Sequence, residues 1–428
     1  MKQYLKLKVP IFLCISFLGL FGSCRKQPME VPAAAEACPS SSEELEIIWQ
    51  APLGIEEREV PHFRGVTLAD DKVVASPTKN DFSRATVSFW DKQTGELQFA
   101  WNDWNSTWRI HIFYPLQIVN DNVYANAKSH SALIDPTTGQ TVWTRFHDFN
   151  NVRSSSYSIG KIFQPANGEN DCEDSPSIDL ITCLDQSSGQ RDTILTVEKP
   201  VENAILPILN LPSGWNAPSG DSLLFFSSWS KGEEGWGWTA YGYNMTKSSF
   251  IWQLYDNSFD EEPSEAHPLV SNGLVYFLGP KTLYCLDAQE GAIVWQQNFN
   301  VLQGSKYTIL FSVMNIFNRK LIVSLGNGEI YCFDPSNGFI LWKTRNGPTH
   351  PQNLVHHNGV IYMADRNSRQ LHAHDIKTGE CYWRQESPNL LINPSAGFRG
   401  VIAVDPETGY LYADDGFFVM CIRPYDRG

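Results

Sequence analysis

Ten histidines and nine cysteines are the side chains of this 428-residue chain best suited to bind a metal or attack a substrate. Their spacing offers neither chemistry a frame. No His-Glu-x-x-His, Cys-x-x-Cys, Gly-x-Ser-x-Gly or phosphate-cradling Gly-Lys loop occurs. His356 and His357 are adjacent, but Asn358-Gly359 follows them, a dipeptide that favours the positive φ angles of a hairpin turn. Asp414-Asp415-Gly416 lacks the ligand spacing of a calcium loop and reads as a strand-end turn. Nothing assigns a catalytic, cofactor-binding or metal-binding residue, so the sequence favours a protein that is not an enzyme.

One cysteine does stand in a reactive context. Lys2, Lys6 and Lys8 precede an apolar run from Val9 to Ser23. That run is shorter than the ~20 residues of a spanning helix and has the layout of a secretion signal. It ends in Leu20-Phe-Gly-Ser-Cys24, which resembles the lipobox at which bacterial lipoproteins are cut and acylated on Cys; Phe21 departs from the usual Leu. Residues 1–23 are therefore expected to be a lipoprotein signal peptide and Cys24 the lipidation site. Residues 24–44 lack periodicity and read as a flexible tether. Residues 45–428 remain for a single folded domain.

That domain is repetitive. FDPSNGFILW at 333–342 returns as IDPTTGQTVW at 134–143, LDAQEGAIVW at 286–295 and HDIKTGECYW at 374–383. The Asp carboxylate can accept from backbone N–H groups two residues on, and the Gly can take positive φ. Strand-forming residues flank both sides, so each string is a hairpin with Trp in its second strand. The turn position recurs at Gly95, Gly139, Gly189, Ser248, Gly291, Gly338 and Gly379. Steps in the forties and fifties with four short strands per unit predict an all-β, eight-bladed β-propeller of four-stranded antiparallel blades. A seven-bladed ring follows if the weak copy near 150–197 is no blade. Asp405 to Gly409 mimics the turn but falls one hairpin early. The last blade then lacks an outer strand, and residues 45–50 supply one, so N-terminal pairing with the C-terminal blade closes the ring and removes an exposed edge.

The pattern resembles the repeats of the pyrroloquinoline quinone (PQQ) enzymes, over about 45–428. In that family the Trp packs between neighbouring blades, and Trp49, Trp143, Trp252, Trp295, Trp342 and Trp383 match its position. The chain also resembles BamB-type envelope lipoproteins, which implies a non-catalytic scaffold without cofactor, serving outer-membrane protein assembly. The alternative implied by the resemblance is a PQQ-dependent dehydrogenase of the quinoprotein class. Those enzymes carry adjacent cysteines and a Glu/Asn/Asp calcium set, and neither can be matched here.

Composition narrows the partners. Formal net charge is −14; losing residues 1–23 removes Lys2, Lys6 and Lys8 and no acid, which makes it −17. That speaks against nucleic acid. The expected partners are an envelope or outer-membrane protein, with a glycan as a second class, and the membrane through the lipid. The expected location is the bacterial cell envelope, at the outer membrane. Trp104, Trp108, Trp236 and Trp238 fall in or beside predicted loops and are the candidate partner-binding residues, because exposed Trp dominates many interfaces. Cys183, Cys285, Cys332 and Cys421 share one repeat position and are expected to be small buried side chains; a Cys172–Cys183 pairing is the open alternative for one of them.

Overall fold

The computed structural model describes residues 45–54, 65–76, 86–104, 115–127, 130–146, 155–168, 178–197, 205–232, 235–259, 264, 266–299 and 312–425. The expected signal peptide and tether lie outside them. Eight antiparallel sheets follow one another along the chain: blade 1 (66–101), blade 2 (117–146), blade 3 (156–197), blade 4 (205–259), blade 5 (269–298), blade 6 (313–344), blade 7 (355–385) and blade 8, which joins 403–422 to 47–52. The weak copy is a blade, so the ring has eight. Blade 4 departs from the plain pattern. Its inner strand is split into Ile205–Leu209 and Ser213–Asn216, and the break contains Pro212, which has no N–H to donate.

Closure is as the sequence predicts. Ile47–Pro52 pairs antiparallel with Phe418–Ile422, from Ile47 opposite Ile422 to Pro52 opposite Phe418. The Asp405–Gly409 turn joins the two inner strands Ala403–Val404 and Leu411–Asp414 of the same blade. It is therefore one hairpin early, as read.

The apolar core sits between blades. Eight clusters of buried residues account for the eight interfaces, from blades 1 and 2 (Phe89 with Ile134) round to blades 8 and 1 (Val419 with Val73). A propeller strand is thus buried on both faces, which explains strands as uniformly buried as Val360–Asp365.

The repeated turn explains how neighbouring blades lock. In blade 6, Asp334 Oδ1 accepts from Ser336 N (2.9 Å), and Gly338 N donates to Asp334 O (2.9 Å). Gly338 lies at φ 73°. Its missing side chain matters twice, because a Cβ there would stand 2.6 Å from Trp295 Cδ2 of blade 5. The same Trp donates from Nε1 to Pro335 O (2.9 Å), and Tyr276 OH donates to that carbonyl as well (3.1 Å). Trp49, Trp143, Trp252 and Trp342 each donate to the corresponding carbonyl of the next blade, at 2.8–3.1 Å. Phe99 takes this place in blade 1, over Gly139. Trp383 instead packs among Leu411 and Met420 of blade 8 and Phe398 of the segment leading into it; the outer strand of blade 8 begins a new chain segment rather than following a turn.

The two degraded copies are one compensated change. The repeat sets the residue four after the turn Gly over the turn of the next blade. In blade 3 that residue is Thr193, and the turn it would cover in blade 4 carries Ser248 (φ 52°). Without an indole above it, the turn residue need not be Gly. Gly338→Val should therefore cost about 3 kcal/mol, from left-handed strain and displacement of Trp295, whereas Ser248→Gly should change stability by less than about 1 kcal/mol. Urea unfolding of the two variants checks the contrast.

Candidate interaction surface

Cys183, Cys285, Cys332 and Cys421 are free and buried. Burial pushes the thiols of Cys285 and Cys332 up to about 12 and that of Cys421 to about 11, so they pack as small apolar groups. Cys183 being a free thiol, the Cys172–Cys183 pairing is not made. His372 and His374 alternate along the third strand of blade 7 and stack at 6.0 Å in its contact with blade 6. Among the described residues no group of three or more His, Cys, Asp or Glu converges as a metal site.

The tryptophan surface needs correction. Trp104 is 1% exposed and packs edge-on against Trp101 (4.7 Å) in the core between blades 1 and 2. Trp238 is fully buried, stacked on Tyr284 (5.7 Å, 12°) between blades 4 and 5. The segment read as a loop is a hairpin: strands Ser222–Gly232 and Gly235–Asn244 run longer than those of other blades and carry Trp229 and Trp238 into the core. Large rings near a blade edge gain more from burial against the neighbouring blade than from water. Trp236 lies in the second of these strands, paired with Lys231 and Phe259, and only its backbone is described. Trp108 lies outside the described residues.

The structure offers a different feature. The link from blade 7 to blade 8, residues 386–402, is long and ordered by specific bonds. Ser387 caps a short 3-10 turn, Pro388–Leu391, and accepts from Asn389 N (3.1 Å). The fully buried Asp415 accepts from Ser387 Oγ (2.6 Å), from Asn389 Nδ2 (2.8 Å) and from the N–H groups of Phe417 and Phe418 (3.0 and 2.8 Å). Arg369 Nη1 donates to Pro394 O (2.9 Å), and Phe398 N to Arg369 O (3.0 Å). Arg369 and Asp415 belong to the second-to-third-strand turns of blades 7 and 8, so the link lies on that face of the ring. At its tip Leu391 is 97% exposed and Ile392 76%. Two adjacent aliphatic side chains in water, on a backbone held by a buried carboxylate, form a preorganised apolar contact. The sequence signal was SPNLLINPSAG, an apolar triplet framed by Pro and Asn.

The far end of blade 8 has another role. Ile47, where the closing strand begins, pairs with Ile422, at the end of the strand remote from Phe418 and Asp415. The chain therefore enters the propeller on the tight-turn face, opposite Leu391 and Ile392.

The PQQ-repeat family described as outer membrane protein assembly factor BamB matches residues 315–420, from blade 6 into the third strand of blade 8. No curated protein matches the chain in sequence. Solved structures of similar fold include BamB from Moraxella catarrhalis, 15% identical, with 89% of this chain and 100% of that one covered at a TM-score of 0.58. Sqt1 from Saccharomyces cerevisiae is 8% identical, with 90% and 100% covered at 0.62. A europium-containing methanol dehydrogenase is 12% identical, with 86% and 84% covered at 0.57. At such identities the likenesses show the fold, which scaffolds and dehydrogenases share. The chain is thus an eight-bladed propeller of PQQ-like repeats that resembles BamB.

Proposed function

We propose that this protein is a non-catalytic envelope lipoprotein, anchored through Cys24 at the outer membrane, that scaffolds outer-membrane protein assembly by holding a protein partner on the face bearing Leu391 and Ile392. The observation that carries the reading is the exposed aliphatic pair on its Asp415 support. The family match over 315–420 supplies the class of partner. The layout suits a tethered scaffold, because the chain enters on one face and the apolar pair projects from the other. The quinoprotein dehydrogenase reading gains no observation of its own.

Leu391→Asp with Ile392→Asp should abolish partner capture and leave the thermal midpoint within about 2 °C, since both side chains are already in water. A photo-crosslinking residue at 391 should form an adduct with an outer-membrane assembly protein, identified by mass. Undiminished capture by the double variant would place the binding surface elsewhere.

A further inference from the structure

The face that bears Leu391 and Ile392 also carries a group of arginines, in a chain whose formal net charge is −14. Arg366 and Arg369 stand in the turn between the second and third strands of blade 7, Val360–Asp365 and Gln370–Asp375. Arg399 stands in the link to blade 8. Specific bonds hold the turn. Asp365 accepts from Asn367 N (3.1 Å) and Ser368 Oγ (2.8 Å), and Arg369 N donates to Asp365 O (2.7 Å). Arg366 is exposed, and its backbone N–H donates to His350 O (3.1 Å).

Arg369 occupies a position where glycine would be unstrained. Its φ is 64°. It precedes the turn residue Asp375 as Gly328, at φ 82°, precedes Asp334 in blade 6. A side chain in left-handed backbone costs energy, and such strain persists where the side chain is used. Arg369 packs on the link: a Cβ added to Gly397 would stand 2.4 Å from Arg369 Cβ. Its Nη1 donates to Pro394 O (2.9 Å), three residues from Leu391. That spacing keeps Leu391 within about 10 Å of Pro394. Arg399 follows Gly397 by two residues. Burial, and then the charges of Arg369 and Arg366, hold its guanidinium below the usual arginine value. The three cations therefore lie within electrostatic reach of one another. The acids of the same segments are mostly turned inward. Asp365, Asp414 and Asp415 are at most 6% exposed, and each accepts from turn N–H groups. Glu386 is exposed and accepts from Gln370 Nε2 (3.3 Å). Among the described residues no carboxylate pairs with Arg366 or Arg369.

We propose that Arg366, Arg369 and Arg399 form a carboxylate-binding patch, continuous with Leu391 and Ile392, that docks an acidic segment of the partner protein with aliphatic residues beside its acids. A guanidinium presents a planar fork of N–H groups that matches the two oxygens of a carboxylate. The aliphatic pair supplies apolar contact, and the arginines supply attraction and register. The net negative charge of the chain disfavours such a segment elsewhere on its surface, so the patch fixes where it docks. The proposal rests on reading this face as the binding surface and adds the chemistry of what binds there.

The test uses the full mature chain and two dye-labelled peptides of equal length, one repeating Asp-Leu-Leu-Asp and the other Asn-Leu-Leu-Asn, with binding read by fluorescence anisotropy. The Asp peptide should bind at least about tenfold tighter at about 50 mM salt, and the difference should shrink at about 500 mM. Arg366→Gln with Arg399→Gln should remove the preference and leave the Asn peptide unchanged. Arg366→Gln alone, at an exposed position that folding does not need, should weaken the Asp peptide by about threefold. Equal binding of the two peptides, no binding of the Asp peptide at about 1 mM, or an undiminished preference in the double variant would overturn the proposal. So would binding to phosphatidylglycerol vesicles that the double variant loses, without Asp-peptide binding, which would assign the patch to lipid headgroups. Leu391→Ser with Ile392→Ser should weaken both peptides alike. A preference that persists while this variant binds both peptides as wild type does would sustain the arginine patch and remove the aliphatic pair from the site.

Discussion

Deleting residues 45–52 will unfold the ring at its seam, with a loss above about 5 kcal/mol and aggregation of the product. The segment supplies the outer strand of blade 8 and all of its pairing to Phe418–Ile422. Without it, that strand becomes an edge, and it carries Val419, Met420, Cys421 and Ile422, each at most 1% exposed in the intact protein. The deletion also removes Trp49, which lies over Gly95 and, with Tyr412, donates to Lys92 O of blade 1 (3.1 and 3.2 Å). The loss therefore reaches two interfaces, blade 7 to blade 8 and blade 8 to blade 1. Trp49→Ala isolates the second and should cost about 3 kcal/mol, at the lower end for a Trp because the ring is only partly buried. Urea or thermal unfolding checks both. A midpoint unchanged in the two variants would mean that the ring does not depend on this strand.

How far the fold was legible follows from where its physics is local. The Asp334–Gly338 turn is determined by residues within five positions, so it can be read directly, and seven copies in register give the blade count. Closure could be deduced because a missing strand at one end matched a spare strand at the other. The paired change at Thr193 and Ser248 looked like decay of two repeats, since the residues meet only across an interface. The candidate site was less legible for the same reason. Trp238 sits among Gly, Glu and Trp residues that resemble a loop, yet strand pairing carries it to full burial against Tyr284. Composition near a residue does not tell which way an extended hairpin faces. The exposure of Leu391 depends on Asp415, which lies 24 positions along the chain and which the turn reading had placed correctly without revealing what it holds.

Acidification from pH 7 to pH 5 should destabilise the protein by about 3 kcal/mol through His372 and His374 alone. Both are buried, at 2% and 0% exposure, where blade 7 meets blade 6. Burial holds His372 down to about 4, with the nearby Asp365 acting in the opposite sense; burial and then the His372 charge hold His374 down to about 3. His374 is neutral, with Nδ1–H donating to Gly379 O (3.3 Å). The unfolded chain takes up both protons near pH 6.5, and the folded chain does not until well below pH 5. Between those values the unfolded state binds more protons, so stability is complete above about pH 6.5 and falls with pH through this window. The turn carboxylates have depressed values, as at Asp334, and their stabilisation is lost only at lower pH. The two effects are therefore separable on a titration. His372→Gln with His374→Gln, compared with wild type by urea unfolding at each pH, should flatten the slope between pH 7 and pH 5 by about half, because burial also holds His350 and His130 below the usual imidazole value and they act in the same window. The step should leave the region below pH 4 largely unchanged. A slope of equal size in the variant would assign the acid sensitivity to other groups and show that this histidine pair stays neutral in both states.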